Sequence, residues 1–146
     1  MKKKVLFLCT GNSCRSQMAE GWARALKGAA IEAYSAGTEV HGLNPNAVKV
    51  MAEAGVDLRG HQSKRVEDLG DIDFDLVVTV CDQASETCPM WLGRKAQVLH
   101  AGFDDPPALA RDLAANGATE AEQLDVYRRV RDEIKTFIEK WEEIPV

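Results

Sequence analysis

The stretch VLFLCTGNSCRSQMAEGWA, from Val5 to Ala23, decides the fold. It begins in a short apolar run, Lys4–Leu8, that is typical of a buried strand. A polar, glycine-containing loop follows, and apolar residues at helical spacing then predict a helix over Ser16–Lys27. A buried strand that leads directly into a helix is the repeating unit of a parallel α/β sheet.

Further strand and helix signals alternate along the rest of the chain. Short apolar runs predict strands at Ile31–Ser35, Leu76–Val80 and Gln97–Leu99. Asn44, followed by a proline, predicts the capped start of a second helix, which Gly55 would end. A final long helix is predicted from an apolar stripe at three- and four-residue steps, formed by Leu124, Tyr127, Val130, Ile134, Phe137, Ile138 and Trp141.

Two segments are less regular. Residues 60–71 are polar and predict one short helix, and the alanine-rich residues 107–123 predict an extra short helix with a break at an Asn-Gly pair. The whole pattern predicts a single domain over residues 1–146, an open parallel α/β sheet with helices on both faces. Chemistry in such sheets collects at the carboxyl ends of the strands, where Cys9 and Cys81 both lie.

Composition narrows the functional classes. The net charge of −5 over 146 residues gives a nucleic-acid partner little electrostatic support. The apolar runs are far shorter than the roughly 20 residues of a membrane helix, and the basic start does not have the form of a secretory signal. We therefore expect a cytoplasmic protein that does not bind membranes. Its four cysteines are then expected to be catalytic, redox-active or metal-bound.

The loop CTGNSCR, between the first strand and the first helix, has the features of an oxyanion site. Successive amides in such a turn converge on an anion, and the helix that follows adds the positive end of its dipole. Arg15 supplies a planar fork of donors, and Cys9 would lie beneath the ligand as a thiolate nucleophile. The expected oxyanion-binding residues are Thr10, Gly11, Asn12, Ser13, Cys14, Arg15 and Ser16.

Each of these residues also has a simpler interpretation. Cys9 could be a small buried residue and Arg15 a surface cation. Ser16 could donate a hydrogen bond to the thiolate or could only cap the helix. We expect Asn12 to hold the shape of the loop, and Cys14 to be a bystander inside it.

The motifs together resemble a known family. CTGNSCRSQMAEGWA is similar to the signature of the low-molecular-weight tyrosine phosphatase fold, and closer to its arsenate-reductase branch. YSAGTEVHGLNPNAVKVM, DLVVTVCDQASETCP, GFDDP and RVRDEIK resemble the same branch in the same order. The resemblance implies a four-stranded parallel sheet and reduction of arsenate. It also implies no bound cofactor, electrons from reduced thioredoxin, and a chain that we expect to be monomeric.

The resemblance also implies roles for individual residues. Cys9 would attack the arsenic of bound arsenate, and Asp105, directly before Pro106, would protonate the departing oxygen. Without the family, the DDPP sequence could be only a turn. Cys81 would attack the Cys9 adduct, and Cys88 would then attack Cys81, which moves the disulfide outward by ordinary thiol–disulfide exchange.

Two other functions stay open at this stage. A tyrosine phosphatase could use the same Cys9, Arg15 and Asp105, although Pro107 stands where such phosphatases usually place an aromatic residue. That function would also leave Cys81 and Cys88 without a role. A zinc or redox-sensing module is the third possibility, but the spacings C-x4-C and C-x6-C differ from the usual tight pairs, and Arg15 repels a cation.

The resemblance finally bears on bound ions and on the histidines. Some family members bind potassium through an asparagine, a glutamate, a serine and an aspartate; Asn12, Glu20 and Ser35 match the first three. Lys64 aligns with the fourth, so its ammonium could replace the ion, or it could be an ordinary solvated lysine. No metal site is expected from the three histidines, and each is interpreted as structural or surface: His41, His61 and His100.

Overall fold

Four parallel strands form one sheet at the centre of the molecule. The structure is a computed structural model that describes residues 2–70, 72–80 and 97–141. The strands are β1 (Lys3–Cys9), β2 (Ile31–Gly37), β3 (Leu76–Thr79) and β4 (Gln97–His100), in the spatial order β2-β1-β3-β4. All neighbours pair in parallel. The α/β class with a four-stranded parallel sheet is thereby confirmed.

In the residues that the structure describes, four helices and one short 3₁₀ helix connect and cover the strands. The helices are α1 (Arg15–Lys27), α2 (Pro45–Glu53), α3 (Pro106–Ala115) and α4 (Glu120–Glu139). The 3₁₀ helix, Val66–Leu69, is the short helix predicted within residues 60–71. Among the described residues, no helix has the length and apolar character that crossing a membrane requires.

Helix boundaries follow local capping chemistry. The Asn44 side chain accepts hydrogen bonds from the amides of Asn46 and Ala47, which satisfies two donors at the start of α2. Thr119 and Glu122 form a capping box at the start of α4. The predicted Asn-Gly break separates α3 from α4, where Gly117 adopts a φ of +86° that glycine tolerates without strain.

The core forms where α1 and α4 pack beside the central strand. β1 is buried from Val5 to Cys9, as expected for a strand that is covered on both faces. The predicted stripe of α4 is buried at five positions, Leu124, Tyr127, Val130, Ile134 and Ile138. Beyond the helix end, the ring of Trp141 stacks on Phe7 with centroids 6.2 Å apart. Burial of this stripe therefore fixes α4 against the sheet.

One predicted strand boundary is wrong in a way that matters for function. The sequence places the end of β2 at Ser35, but the strand continues to Gly37. Ala36 and Gly37 pair with Leu8 and Cys9 of β1. This long-range parallel pairing outweighs the strand-breaking tendency of the Ala-Gly pair. As a result, Gly37 lies beside the residue that begins the loop.

The carboxyl ends of β1 and β3 meet at one edge of the sheet. Leu8 is in register with Thr79, and the amide of Val80 donates to the carbonyl of Leu8 at 2.9 Å. The loop after β1 therefore begins next to the chain that leaves β3.

Candidate active site

The loop between β1 and α1 is held by the segment that follows β2, whose amides at Thr38, Glu39 and His41 donate to the carbonyls of Cys9, Thr10 and Gly11. Asn12 has a φ of +48°, which places it in the left-handed region that asparagine tolerates better than most residues. α1 begins at Arg15, so the positive end of its dipole faces the loop. A left-handed residue followed by a helix N-terminus is compatible with the anion-binding loop that the sequence predicts.

The side chain of Asn12 holds the loop together through several hydrogen bonds. Its side chain is fully buried, and its Nδ2 donates to the Ser16 hydroxyl at 2.8 Å. Its Oδ1 accepts from Gln17 Nε2 and from the Lys64 amide, both at 3.0 Å. The Ser63 hydroxyl donates to the carbonyl of Gly11 at 2.9 Å. These contacts give Asn12 the shape-holding position that the sequence analysis expects.

Two glycines allow the backbone to pack this closely. A methyl group on Gly37 would lie 2.5 Å from the Thr10 carbonyl oxygen and 2.8 Å from the Asn12 amide nitrogen. A methyl group on Gly11 would collide with the ring of His41. The end of β2 and the residues after it therefore form a rigid wall behind the loop.

Cys9 is the last residue of β1 and lies at the base of the loop. Its Sγ is 2.9 Å from the Ser16 hydroxyl, and only 3 % of the residue is exposed. The Ser16 oxygen has two lone pairs, so it can accept from Asn12 and still donate its hydrogen to the sulfur when Cys9 is a thiolate. Such a hydrogen bond stabilises a thiolate. Ser16 is thus placed for the donor role that the sequence left open.

The second thiol of the loop differs in chemistry. Cys14 is 3 % exposed, and burial, reinforced by the nearby Cys9, raises the pKa of the Cys14 thiol far above its ordinary value. A thiol in this environment stays protonated near neutral pH and is a poor nucleophile. The burial of Cys14 and the raised pKa of its thiol agree with the bystander role expected for this residue.

Arg15 and Asp105 approach each other across the mouth of the loop. Arg15 Nη1 donates to the carbonyl oxygen of Phe103 at 3.0 Å, and its Nη2 lies 3.8 Å from Asp105 Oδ2. Asp105 precedes α3 as its N-cap residue, without a side-chain capping bond. Its carboxyl group is therefore left to face Arg15. The structure thus brings the predicted arginine and the predicted acid to the same place.

A cavity of about 430 Å³ opens above these groups. Its floor is the loop with Cys9 and Arg15, and Asp105 lies on one side. The remaining wall is formed by His41, Gly42, Leu43, Asn44, Pro45, Pro107 and Arg111. A thiol, a guanidinium group, a carboxyl group and loop amides therefore converge on one space that can hold a tetrahedral anion.

A second polar cluster supports the loop from behind, around Glu20. Ser35 Oγ donates to Glu20 Oε1 at 2.8 Å, and His61 Nδ1 lies 3.3 Å from Glu20 Oε2. Lys64 Nζ lies 4.0 Å from Glu20 Oε1, and burial lowers the pKa of Lys64. Burial likewise lowers the pKa of His61. The Lys64 ammonium thus lies near Glu20, one of the three residues that match the potassium ligands, and Ser35 donates to the same carboxylate.

The other two predicted catalytic cysteines, Cys81 and Cys88, lie outside the described residues. Within residues 2–70, 72–80 and 97–141, no group of three or more histidine, cysteine or acidic side chains is arranged to hold a metal ion.

Three residues at the site were not identified as site residues from the sequence. Gln17, which bonds Asn12, His61 and the Gln62 carbonyl, carried no signal except its place just after the loop. His41 was interpreted as structural or surface; it is exposed, but it also lines the cavity and pairs with Glu39 at 2.7 Å. Arg111 had no signal, because its position depends on how α3 docks.

Fold and site together define a class of protein: a parallel α/β domain whose first strand ends in a cysteine and whose C-x5-R loop opens onto a cavity that also contains a carboxyl group. The chain belongs to the low molecular weight phosphotyrosine protein phosphatase family, which matches residues 4–144. The resemblance inferred from the sequence motifs is thereby confirmed at the level of the family.

Within the family, the chain is similar to proteins named as arsenate reductases. The chain is 49% identical to an arsenate reductase of Halalkalibacterium halodurans over 142 residues, covering 94% of this chain and 96% of that protein. It is 47% identical to an arsenate reductase of Bacillus subtilis over 148 residues, covering 98% of each. Among solved structures, an arsenate reductase in the oxidized state superposes with a TM-score of 0.75 at 31% identity, covering 94% of each chain.

Proposed function

We propose that this protein reduces arsenate to arsenite through a relay of three cysteines, Cys9, Cys81 and Cys88, that reduced thioredoxin regenerates. The observation that carries the proposal is the convergence of Cys9, Arg15 and Asp105 on one cavity. Near 50% identity to arsenate reductases over nearly the whole chain supports arsenate as the oxyanion.

The first step forms a sulfur–arsenic bond. Loop amides and the Arg15 guanidinium hold the arsenate oxygens, and the Cys9 thiolate attacks arsenic(V). One arsenate oxygen leaves as water, with Asp105 as the proton donor. The short Cys9–Ser16 contact supports this step because it stabilises the thiolate before attack.

The second step reduces arsenic. The Cys81 thiolate attacks the Cys9 sulfur, the electron pair of the S–As bond passes to arsenic, and arsenite departs. A Cys9–Cys81 disulfide results, and both electrons come from these two sulfurs. Val80 precedes Cys81 in the chain, and its amide donates a hydrogen bond to the carbonyl of Leu8, the residue before Cys9. The proximity of these two segments supports the attack.

The third step restores the nucleophile. Cys88 attacks Cys81, which frees Cys9 as a thiolate and leaves a Cys81–Cys88 disulfide. The dithiol of thioredoxin then reduces this disulfide and becomes oxidised itself. One dithiol is consumed for each arsenate reduced, so the electrons balance.

Phosphatase activity is the second candidate, because the family is named for phosphotyrosine phosphatases. Phosphate esters fit the same tetrahedral site, and Cys9, Arg15 and Asp105 would serve hydrolysis equally. Pro107 forms part of the cavity wall without an aromatic surface on which a phenol ring could stack. We therefore expect only slow hydrolysis of aryl phosphates.

The test couples arsenate to NADPH through thioredoxin reductase and thioredoxin. Wild-type protein should consume NADPH only when arsenate is present, and Cys9→Ser should abolish this consumption. Cys14→Ser is the matched comparison in the same loop: it keeps the backbone amide that is expected to bind the oxyanion and removes only a thiol that the relay does not use, so turnover should persist. Absence of arsenate-dependent turnover, together with brisk aryl phosphate hydrolysis, would instead identify a phosphatase.

A further inference from the structure

The substrate of the proposed reaction faces an electrostatic obstacle. The chain has a net charge of −5, and arsenate is an anion at neutral pH, so the protein as a whole repels it. The Asp105 carboxyl group at the cavity mouth, with 45% of its side chain exposed, adds to this repulsion. A local cation is needed to draw the anion in.

Arg15 meets this need only in part. Its side chain is 14% exposed and lies on the cavity floor, where it donates to the Phe103 carbonyl and faces Asp105 at 3.8 Å. A guanidinium group already engaged with a carbonyl and a carboxylate projects little net positive charge toward the solvent.

Arg111 lies on the wall of the same cavity and is exposed. It follows Pro107 by four residues in α3, so both side chains lie on the helix face toward the cavity. Across the part of the chain that the structure describes, its guanidinium group has no ion-pair partner.

The arginines of the neighbouring helix form a clear contrast. On α4, Arg128 pairs with Glu53 at 2.9 Å, Arg129 with Asp104 at 3.1 Å and Arg131 with Asp132 at 2.8 Å. Within residues 2–70, 72–80 and 97–141, Arg111 therefore differs from these arginines, because it lines a cavity and forms no ion pair with a carboxylate.

We propose that Arg111 is an outer anion-binding residue of this cavity, which attracts the substrate oxyanion and contacts it before Arg15 and the loop amides take it up. The inference rests on the proposed function and adds a residue that determines substrate affinity. Arg111 is exposed on the cavity wall whereas Cys9 is buried, so we expect Arg111 to act on the KM for arsenate and not on the chemical step.

Arg111→Gln and Arg111→Lys test this role, with Lys140→Gln as the matched control. Lys140 is exposed, is absent from the cavity wall, and its replacement changes the net charge by the same amount. Loss of one nearby charge in water should raise the KM for arsenate about fivefold in Arg111→Gln, with kcat nearly unchanged. Arg111→Lys should stay close to wild type, and high salt should shrink the effect.

A second readout does not depend on turnover. Alkylation of Cys9 by iodoacetamide, followed by mass spectrometry, reports whether inorganic phosphate occupies the cavity. Arg111→Gln should need about five times more phosphate for half-protection than wild type or Lys140→Gln. If wild-type protein fails to reduce arsenate, the proposed function fails, but the phosphate titration still tests Arg111.

Two results would overturn the inference. In the first, Arg111→Gln and Lys140→Gln have the same KM and the same phosphate protection. In the second, kcat falls in Arg111→Gln while KM and protection are unchanged, which would make Arg111 a positioning residue. Equal melting temperatures of the three variants and wild type would verify that the comparison reports binding.

Discussion

At the residue scale, Gly37 determines whether the backbone of the oxyanion loop can pack against the end of β2. A Cβ at this position would lie 2.5 Å from the Thr10 oxygen, 2.7 Å from the Glu39 oxygen and 2.8 Å from the Asn12 nitrogen, all backbone atoms. Such contacts cannot be relieved by rotation of a side chain. The loop or the end of β2 must move instead.

We therefore predict that Gly37→Ala loses most of the arsenate-reducing activity, at least about tenfold, because small displacements of catalytic groups are costly. Overpacking of this kind should also lower the free energy of unfolding by about 1–3 kcal/mol. Gly60→Ala is the control, since a methyl group there meets nothing within 4 Å. Steady-state kinetics and thermal unfolding measure both effects. Equal activity of the two variants would show that the loop tolerates the shift.

Lys64 leads to a prediction about ions at the same scale. Its ammonium lies 4.0 Å from Glu20, the carboxylate to which Ser35 also donates, and the residue is half-buried. The backbone amide of Lys64 donates to Asn12. The Lys64 ammonium already supplies the positive charge that a bound potassium ion would bring. We therefore predict that potassium does not raise the rate over sodium at equal ionic strength.

Removal of the ammonium sharpens the test. Lys64→Gln should lower the stability by about 1 kcal/mol. Potassium should then restore part of that loss, and sodium should restore less. A clear potassium stimulation of the wild-type rate would contradict the proposed role of Lys64.

At the element scale, the start of α2 forms part of the cavity wall. Asn44 caps the helix through two amides, and its Nδ2 also donates to the Tyr127 hydroxyl of α4 at 3.3 Å. One side chain thus ties α2 to α4 beside the site.

We predict that Asn44→Ala costs about 1 kcal/mol of stability, the usual price of a lost N-cap, and raises the KM for arsenate because the wall loosens. Asn44→Asp keeps the cap acceptor and should recover the stability. Urea denaturation and kinetics of both variants are the measurements. An Asn44→Ala protein with wild-type stability would mean that tertiary packing, not the cap, holds α2.

At the scale of the whole molecule, local signals predicted most of the fold. The apolar run of β1, the Asn44 cap and the stripe of α4 each depend on neighbours in sequence, and each was found, although α4 ends at Glu139, before Trp141. The C-x5-R loop could be recognised for the same reason, because strand, loop and helix are contiguous.

Features that depend on distant residues could not be predicted. The last two residues of β2 are strand only because they pair with Leu8 and Cys9. His41 and Arg111 enter the cavity wall because a loop and α3 fold over it. Neither feature produces a recognisable pattern in the spacing of residues along the chain. The roles of Cys81 and Cys88 stay a prediction.

The most direct test of the cysteine relay is the Cys88→Ser variant, mixed with excess arsenate and analysed by mass spectrometry without thioredoxin. The relay predicts one arsenite per protein molecule and a Cys9–Cys81 disulfide, while the wild type accumulates a Cys81–Cys88 disulfide instead. Sustained turnover by the variant in the thioredoxin-coupled assay, or arsenite formed without any Cys9–Cys81 disulfide, would contradict the relay.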